Sequence, residues 1–192
     1  MIESAVHVGF ALCGSFCTFS QVIKQIQHLC AFGYDIYPIM STNSYCTDTR
    51  FGKATDHIQS IESMTGHKIW HTIDQVEPIG PKKLLDILVV APCTGNTIGK
   101  LANGIYDTAV TLAVKAHLRN DRPVVIAIST NDGLSGSAKN IGCLQNMKNI
   151  YFVPYQQDDP IKKPMSLVAR MDQIPQTIAL ALQGKQIQPI LT

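Results

Sequence analysis

The chain is short of the features that mark nucleic-acid or membrane proteins. Its net charge is only +2 over 192 residues, and its basic residues cluster no further than the pairs Lys82–Lys83 and Lys162–Lys163. That density is too low for a polyanion-binding surface. Charged residues make up 16% of the chain against 45% hydrophobic, which excludes disorder and calls for a well-buried core. Long apolar runs are missing. The run Val8–Leu12 is far too short for a signal h-region or a membrane span, and Met1-Ile2-Glu3-Ser4 carries no basic n-region. The expected location is therefore the cytoplasm, away from membranes. The six cysteines (13, 17, 30, 46, 93, 143) show no CxxC and no zinc spacing. No metal site is expected, and in a reducing compartment these are buried thiols.

What is present is an alternation of strands and helices around one central stretch, Ala91–Gly104. The β-branched run Ile87–Val90 before it suits a buried parallel strand, and Pro92 is expected to stop that strand. Thr94-Gly95-Asn96-Thr97 then offers hydroxyls, an amide and open backbone. Ile98, Leu101 and Ala102 recur at helical spacing after it. In an open α/β sheet, ligands sit at such a strand–turn–helix junction, and the helix start favours anionic groups.

Ala5–Leu12 reads as the first strand, followed by a turn at Cys13–Phe16. Val22, Ile26 and Leu29 mark a helix that Gly33 ends. Asp35–Met40 is the second strand, and its proline predicts a sheet edge or a kink. A polar loop at Ser41–Tyr45 precedes a helix over about Ala54–Met64 that ends at Gly66. His67–Lys83 is expected to wander over the surface. Val110–Leu118 forms a helix with His117 on its polar face, and Val124–Ile128 is a fourth strand running into the polar loop Ser129–Gly133. A short helix near Asn140–Met147 leads to a fifth strand, Ile150–Val153. Gln156–Pro164 reads as a loop. Leu167, Ala169, Ile174, Ile178, Ala179 and Leu182 support a C-terminal helix that Pro175 breaks or starts. No repeat or linker divides residues 1–192, so a single domain is expected. Its fold class is α/β, a doubly wound, three-layer α/β/α parallel sheet with right-handed crossovers.

Four strand ends carry polar turns: Gly14-Ser15, Ser41–Ser44, Thr94–Thr97 and Ser129–Asn131. In a parallel sheet all four lie along one edge. Gly14 lets a phosphate approach the backbone, and Ser15 adds a hydroxyl. No Walker lysine follows and no GxGxxG occurs, which excludes a nucleoside-triphosphate P-loop and an ordinary dinucleotide fingerprint. Taken singly each turn is a helix cap. Together they fit a ligand with one phosphate and a planar polar ring.

Ala91-Pro92-Cys93-Thr94-Gly95-Asn96-Thr97 with Lys100–Gly104 resembles the Pro-Ala-Ser-Ala-Asn-Thr motif of the flavin-dependent cysteine decarboxylase superfamily, and Gly14-Ser15 resembles its first phosphate turn. Glu77–Lys83, Lys115–Asn120, Ile128–Asp132 and Gln157–Pro164 resemble more narrowly one branch, in which the chain serves as the B component of a two-part oxidoreductase. The resemblance implies a flavodoxin-like fold that binds FMN at a subunit interface, commonly in trimer-based homo-oligomers. It implies that Gly14 and Ser15 hold the FMN phosphate, helped by Ser41 or Ser44. Pro92, Thr94, Asn96 and Thr97 would line the ring or ribityl chain, with Asn131 beside them. It implies a small dicarboxylate substrate and an A subunit with its own nucleotide-binding fold, through which NADP is a candidate acceptor.

The chain also departs from the superfamily. Pro78 falls where the decarboxylases carry a catalytic histidine, and His71 lies too far along to replace it. Gln156–Pro164 lacks their flap cysteine, and Ser129-Thr130-Asn131 replaces Pro-Ala-Met-Asn. These departures argue against cysteine-type decarboxylation. They favour an oxidoreductase subunit, or a scaffold that keeps the fold without catalysis, over a flavin-dependent decarboxylase. Lys82, Lys83, Lys162 and Lys163 are candidate carboxylate partners, better read singly as solvated surface. Cys93 is a packing thiol.

Overall fold

The computed structural model describes residues 5–192; the N-terminal tetrapeptide read above for a leader lies outside the described residues. Strand β1 (His7–Leu12) leads through a single 3-10 turn, Phe16–Thr18, into α1 (Phe19–Ala31) and then β2 (Asp35–Met40). Val22, Ile26 and Leu29 of α1 are fully buried, and Gly33 ends the helix with φ 84°. Helices α2 (Thr42–Cys46), α3 (Ala54–Thr65), α4 (Ile73–Val76) and α5 (Ile79–Lys82) precede β3 (Ile87–Cys93). Then come α6 (Gly95–Ala102), α7 (Ala109–Leu118), β4 (Val124–Thr130), α8 (Ala138–Gln145) and β5 (Ile150–Phe152). The chain closes with β6 (Tyr155–Asp159), β7 (Lys163–Ala169) and α9 (Ile174–Ala181).

Five strands form a parallel sheet in the order β2-β1-β3-β4-β5, with β3 and β4 buried almost end to end. Helices α1 and α9 touch one face, and α6, α7 and α8 pack together across the other. The result is a three-layer α/β/α domain whose strand order reverses between β1 and β3, where flavodoxin-like folds open a ligand crevice. Pro38 sits in the edge strand β2. Its carbonyl faces outward and accepts the Trp70 N–H at 2.9 Å, so its missing N–H costs no ladder bond to β1.

Several expectations are corrected. Pro92 does not stop β3: the strand continues to Cys93, with a shift in register against β4 between Val90 and Cys93. The Ser41–Tyr45 stretch is one helical turn, capped by Ser41 Oγ accepting the Ser44 N–H. Residues 67–83 do not wander; Val76, Ile79 and Gly80 are buried in the two short helices α4 and α5, which lie against α7. Four-residue helices are too short to show a period. His117 is buried rather than on a polar face: it shares one side of α7 with the buried Val110, Ala113 and Val114, and its Nε2 meets the Pro123 carbonyl at 3.1 Å.

The largest correction concerns residues 156–169. They form the antiparallel hairpin β6–β7, in which Gln157 pairs with Leu167 and Asp159 with Lys163. Asp159 Oδ1 accepts the N–H groups of Ile161 and Lys162, closing the turn from within. Leu167 and Ala169 are spaced by two, the period of a strand, and both are buried there. Pro175 starts α9.

Candidate functional site

Strand β4 changes partners along its length. Val124–Ile126 pair in parallel with β5, whereas Ser129 and Thr130 pair antiparallel with Val168 and Leu167 of β7. This exchange brings the hairpin across the C-terminal edge of the sheet. Together with the turns after β1, β3 and β4 it walls a cleft of about 920 Å³, within the range of sites for small molecules and cofactors.

Three of the four polar turns meet there. Gly14, Ser15, Thr94, Asn96, Ser129 and Asn131 all line the cleft. Ser15 Oγ and Ser129 Oγ lie 2.7 Å apart, joining the ends of β1 and β4 across the end of β3. Thr94 Oγ1 lies 3.3 Å from Thr97 Oγ1 and caps no backbone N–H of α6, so the N–H groups at that helix start remain for a ligand. Asn96 and Asn131 are exposed amides on the cleft wall.

The remaining sequence candidates stand behind the wall. Ser41 Oγ and Ser44 Oγ lie 2.9 Å apart, and Ser44 Oγ donates to the Leu12 carbonyl. Their turn backs the cleft from outside: a Cβ built on Gly14 would lie 3.7 Å from Asn43 Cβ. Pro92 is buried and its carbonyl accepts the Cys13 N–H. Thr97 is buried and donates to Cys13 Sγ at 3.2 Å. Burial pushes the Cys13 thiol up to about 11, against a smaller downward pull from the Thr97 hydrogen bond, and burial likewise raises Cys93 well above its ordinary value. Neither thiol is poised as a nucleophile.

A polar cluster fixes the far wall. Asp132 Oδ1 accepts from Thr130 Oγ1 at 2.6 Å and from Ser137 Oγ at 2.9 Å. A Cβ on Gly95 would come within 2.6–2.8 Å of these three oxygens, so the start of α6 is seated directly on them. The hairpin side contributes Lys163, bound to Asp158 at 2.6 Å, and Arg170, bound to Asp172 at 3.3 Å. The Asp158 hydrogen bond raises the Lys163 ammonium; at Asp172 burial pushes upward, and the hydrogen bonds from Arg170 and Gln173 with the Arg170 charge together hold the carboxyl low. The cleft's own cations thus already have carboxylates. An anion inside it would rest on backbone N–H groups, hydroxyls and helix starts instead.

Sequence reasoning misses the hairpin side of the cleft and misses Phe51, which lines it 46% exposed. A signal for Phe51 is present: a large aromatic residue between arginine and glycine in a polar stretch. Pro78 is not among the lining residues, and the hairpin residues on the cleft include no cysteine. Among the described residues no group of three His, Cys, Asp or Glu side chains is arranged to hold a metal ion. No described helix is long and apolar enough to cross a membrane.

A 2-1-3-4-5 parallel sheet with a polar cleft at its β1/β3 reversal defines a flavodoxin-like α/β protein. The chain belongs to the flavoprotein family, whose model matches residues 2–182. Within it, the chain is 48% identical over 185 residues to the B subunit of dipicolinate synthase from Bacillus subtilis, covering 96% of this chain and 92% of that protein. The crystal structure of the dipicolinate synthase B subunit from Bacillus halodurans superposes with a TM-score of 0.91 at 45% identity, covering 100% of this chain and 98% of that one. The FMN-dependent cysteine decarboxylase SpaF shares the fold at a TM-score of 0.69 and 21% identity, over 93% of this chain and 97% of its own.

Proposed function

We propose that this chain is the FMN-binding B subunit of a dipicolinate synthase, acting with an A subunit to oxidise dihydrodipicolinate to dipicolinate in the mother cell of a sporulating bacterium. The observation that carries this reading is the meeting of the Gly14-Ser15, Thr94–Asn96 and Ser129–Asn131 turns on one cleft, in a chain so similar to the B subunit of a known dipicolinate synthase. Gly14 and Ser15 take the phosphate through backbone and hydroxyl, with Ser41 and Ser44 supporting that turn. Thr94, Asn96 and Asn131 face the ring or ribityl chain, while Pro92 and Thr97 hold the β3–α6 turn in place. The site opens at the surface, where a second copy in a trimer-based assembly would close it.

Aromatisation removes two electrons and two protons from the substrate. A hydride leaves one ring carbon for an acceptor, and a proton leaves its neighbour for a base. FMN, when bound, supplies the hydride acceptor, and NADP held by the A subunit is the onward acceptor. The chain's own contribution is to position the ring against the substrate with uncharged donors and to keep Cys13 and Cys93 as inert thiols beneath it. His117 is not the base: burial holds its pKa down to about 4, and its Nε2 is engaged with the Pro123 carbonyl.

The test is a titration of the purified chain with FMN followed by flavin absorbance, then assays of each subunit alone and mixed. Saturable FMN binding and activity only in the FMN-loaded mixture support the proposal. Full activity of a flavin-stripped mixture overturns the flavin role. One observation favours a second reading, a non-catalytic scaffold: Pro78 and the cysteine-free hairpin leave the cleft without the decarboxylases' acid–base groups. An A subunit fully active alone would establish it.

A further inference from the structure

Beside the cleft stands a small, rigid device that none of the roles above uses. Residues Thr49 and Gly52 exchange backbone hydrogen bonds at 3.0 and 3.1 Å, closing a two-residue turn with Arg50 and Phe51 at its tip. Gly52 takes φ 139°, which the turn needs and other residues rarely adopt. The Phe51 N–H donates to Thr49 Oγ1, and Asp48 Oδ1 accepts the Ala54 N–H, tying the loop to the start of α3. The tip is therefore held before any ligand arrives.

What it presents is a flat apolar ring with a cation on it. Phe51 lines the cleft and is 46% exposed. The Arg50 guanidinium carbon lies 4.8 Å from the Phe51 ring centroid. Unlike Lys163 and Arg170, Arg50 has no carboxylate within ion-pair distance among the described residues. A ring of this kind stacks on a planar ligand, and a free guanidinium grips a carboxylate through two parallel N–H bonds.

We infer that Phe51 and Arg50 form the substrate-recognition element of this cleft, taking a planar ring that bears a carboxylate. Phe51 stacks on the ring, and Arg50, which does not itself line the cleft but lies on Phe51, binds the carboxylate that projects past that ring. This rests on the proposed oxidation of a cyclic dicarboxylate and adds to it the residues that select that substrate. The deep turns hold the cofactor and the Thr49–Gly52 turn holds the substrate, so the two can be lost separately.

The experiment uses the full chain loaded with FMN and titrated with pyridine-2,6-dicarboxylate, read by the flavin absorbance, beside a separate FMN titration. Phe51→Ala and Arg50→Gln are each expected to weaken dicarboxylate binding about tenfold, the usual scale for losing one stacking ring or one charged hydrogen-bond pair. FMN affinity stays within about twofold, and Phe51→Trp retains dicarboxylate binding. Unchanged dicarboxylate affinity in both variants overturns the inference. So does wild-type protein that binds no dicarboxylate, or a loss in Phe51→Ala that falls on FMN instead. If the chain takes up no FMN, the cofactor reading fails by itself. The same dicarboxylate titration by calorimetry on the flavin-free chain then decides the inference alone.

Discussion

Ser15 Oγ lies 2.7 Å from Ser129 Oγ, a hydroxyl contact between residues 114 apart in the chain. It spans the end of β3 and ties the outer turns of the cleft into one frame. Ser15→Ala and Ser129→Ala should each cost about 1 kcal/mol of stability, with a coupling of about 0.5–1 kcal/mol in the double mutant, because the pair shares one bond. Urea denaturation of the four proteins measures this. If Ser15 holds the FMN phosphate as proposed, Ser15→Ala should also weaken FMN about tenfold; a vanishing coupling would mean that the two turns are not braced by this contact.

Two glycines of the cleft separate ligand approach from protein packing. A Cβ on Gly14 meets nothing closer than 3.5 Å, whereas one on Gly95 meets three oxygens at 2.6–2.8 Å. Gly14→Ala should therefore leave thermal stability almost unchanged while reducing FMN affinity, since on the proposed site the methyl group would occupy the phosphate's approach. Gly95→Ala should disrupt the Thr130–Asp132–Ser137 cluster and destabilise by about 1–3 kcal/mol, lowering FMN affinity with it. Melting curves and flavin titrations of both variants distinguish the two mechanisms. A marked loss of stability in Gly14→Ala would contradict this account.

Much of this arrangement is legible in the sequence because its signals are local. The buried runs Ile87–Val90 and Val124–Ile128 announce central parallel strands, and the polar turns after β1, β3 and β4 announce an edge site. Long-range pairing leaves no such mark. The partner exchange of β4 that lifts the hairpin over the cleft depends on Ser129 and Thr130 finding Val168 and Leu167, and β6 itself reads as polar loop because most of its residues face water. His117 is misplaced for a different reason: it follows Val110, Ala113 and Val114 at helical spacing on the buried side of α7, and its polar side chain hides that from a reading by residue type.

Buried His117 should make the protein sensitive to mild acid. Burial holds its folded-state pKa at about 4, against 6.5 for the free side chain. Below pH 6.5 the unfolded chain takes up a proton that the folded chain refuses, so stability falls as pH drops from 6.5 toward 4 and levels off beneath. The loss amounts to about 3 kcal/mol for a shift of this size. His117→Gln should flatten the stability profile across that window at a cost of about 1 kcal/mol for the altered bond to the Pro123 carbonyl. Urea midpoints from pH 4 to 8 test this, and an equally steep profile in the variant would assign the sensitivity to other groups.

The six thiols should divide by burial when the native protein meets an alkylating reagent. Against the expectation that all six are buried, Cys17, Cys46 and Cys143 are exposed and Cys30 is half-buried, and only Cys13 and Cys93 are enclosed. With Cys13 pushed up to about 11 and Cys93 well above its ordinary value, neither offers thiolate at neutral pH. Iodoacetamide at pH 8 should label the three exposed thiols first and Cys30 more slowly, leaving 13 and 93 unlabelled until denaturant is added; peptide mass analysis reads the order. The raised Cys13 value carries a second consequence with a fixed sign. The unfolded thiol ionises from about pH 9 while the folded one stays neutral, so stability should fall as pH rises from 9 toward 11. Cys13→Ser should lessen that decline, the buried Cys93 supplying the rest, and early labelling of Cys13 or Cys93 in the native state would mean that these buried thiols open to solvent.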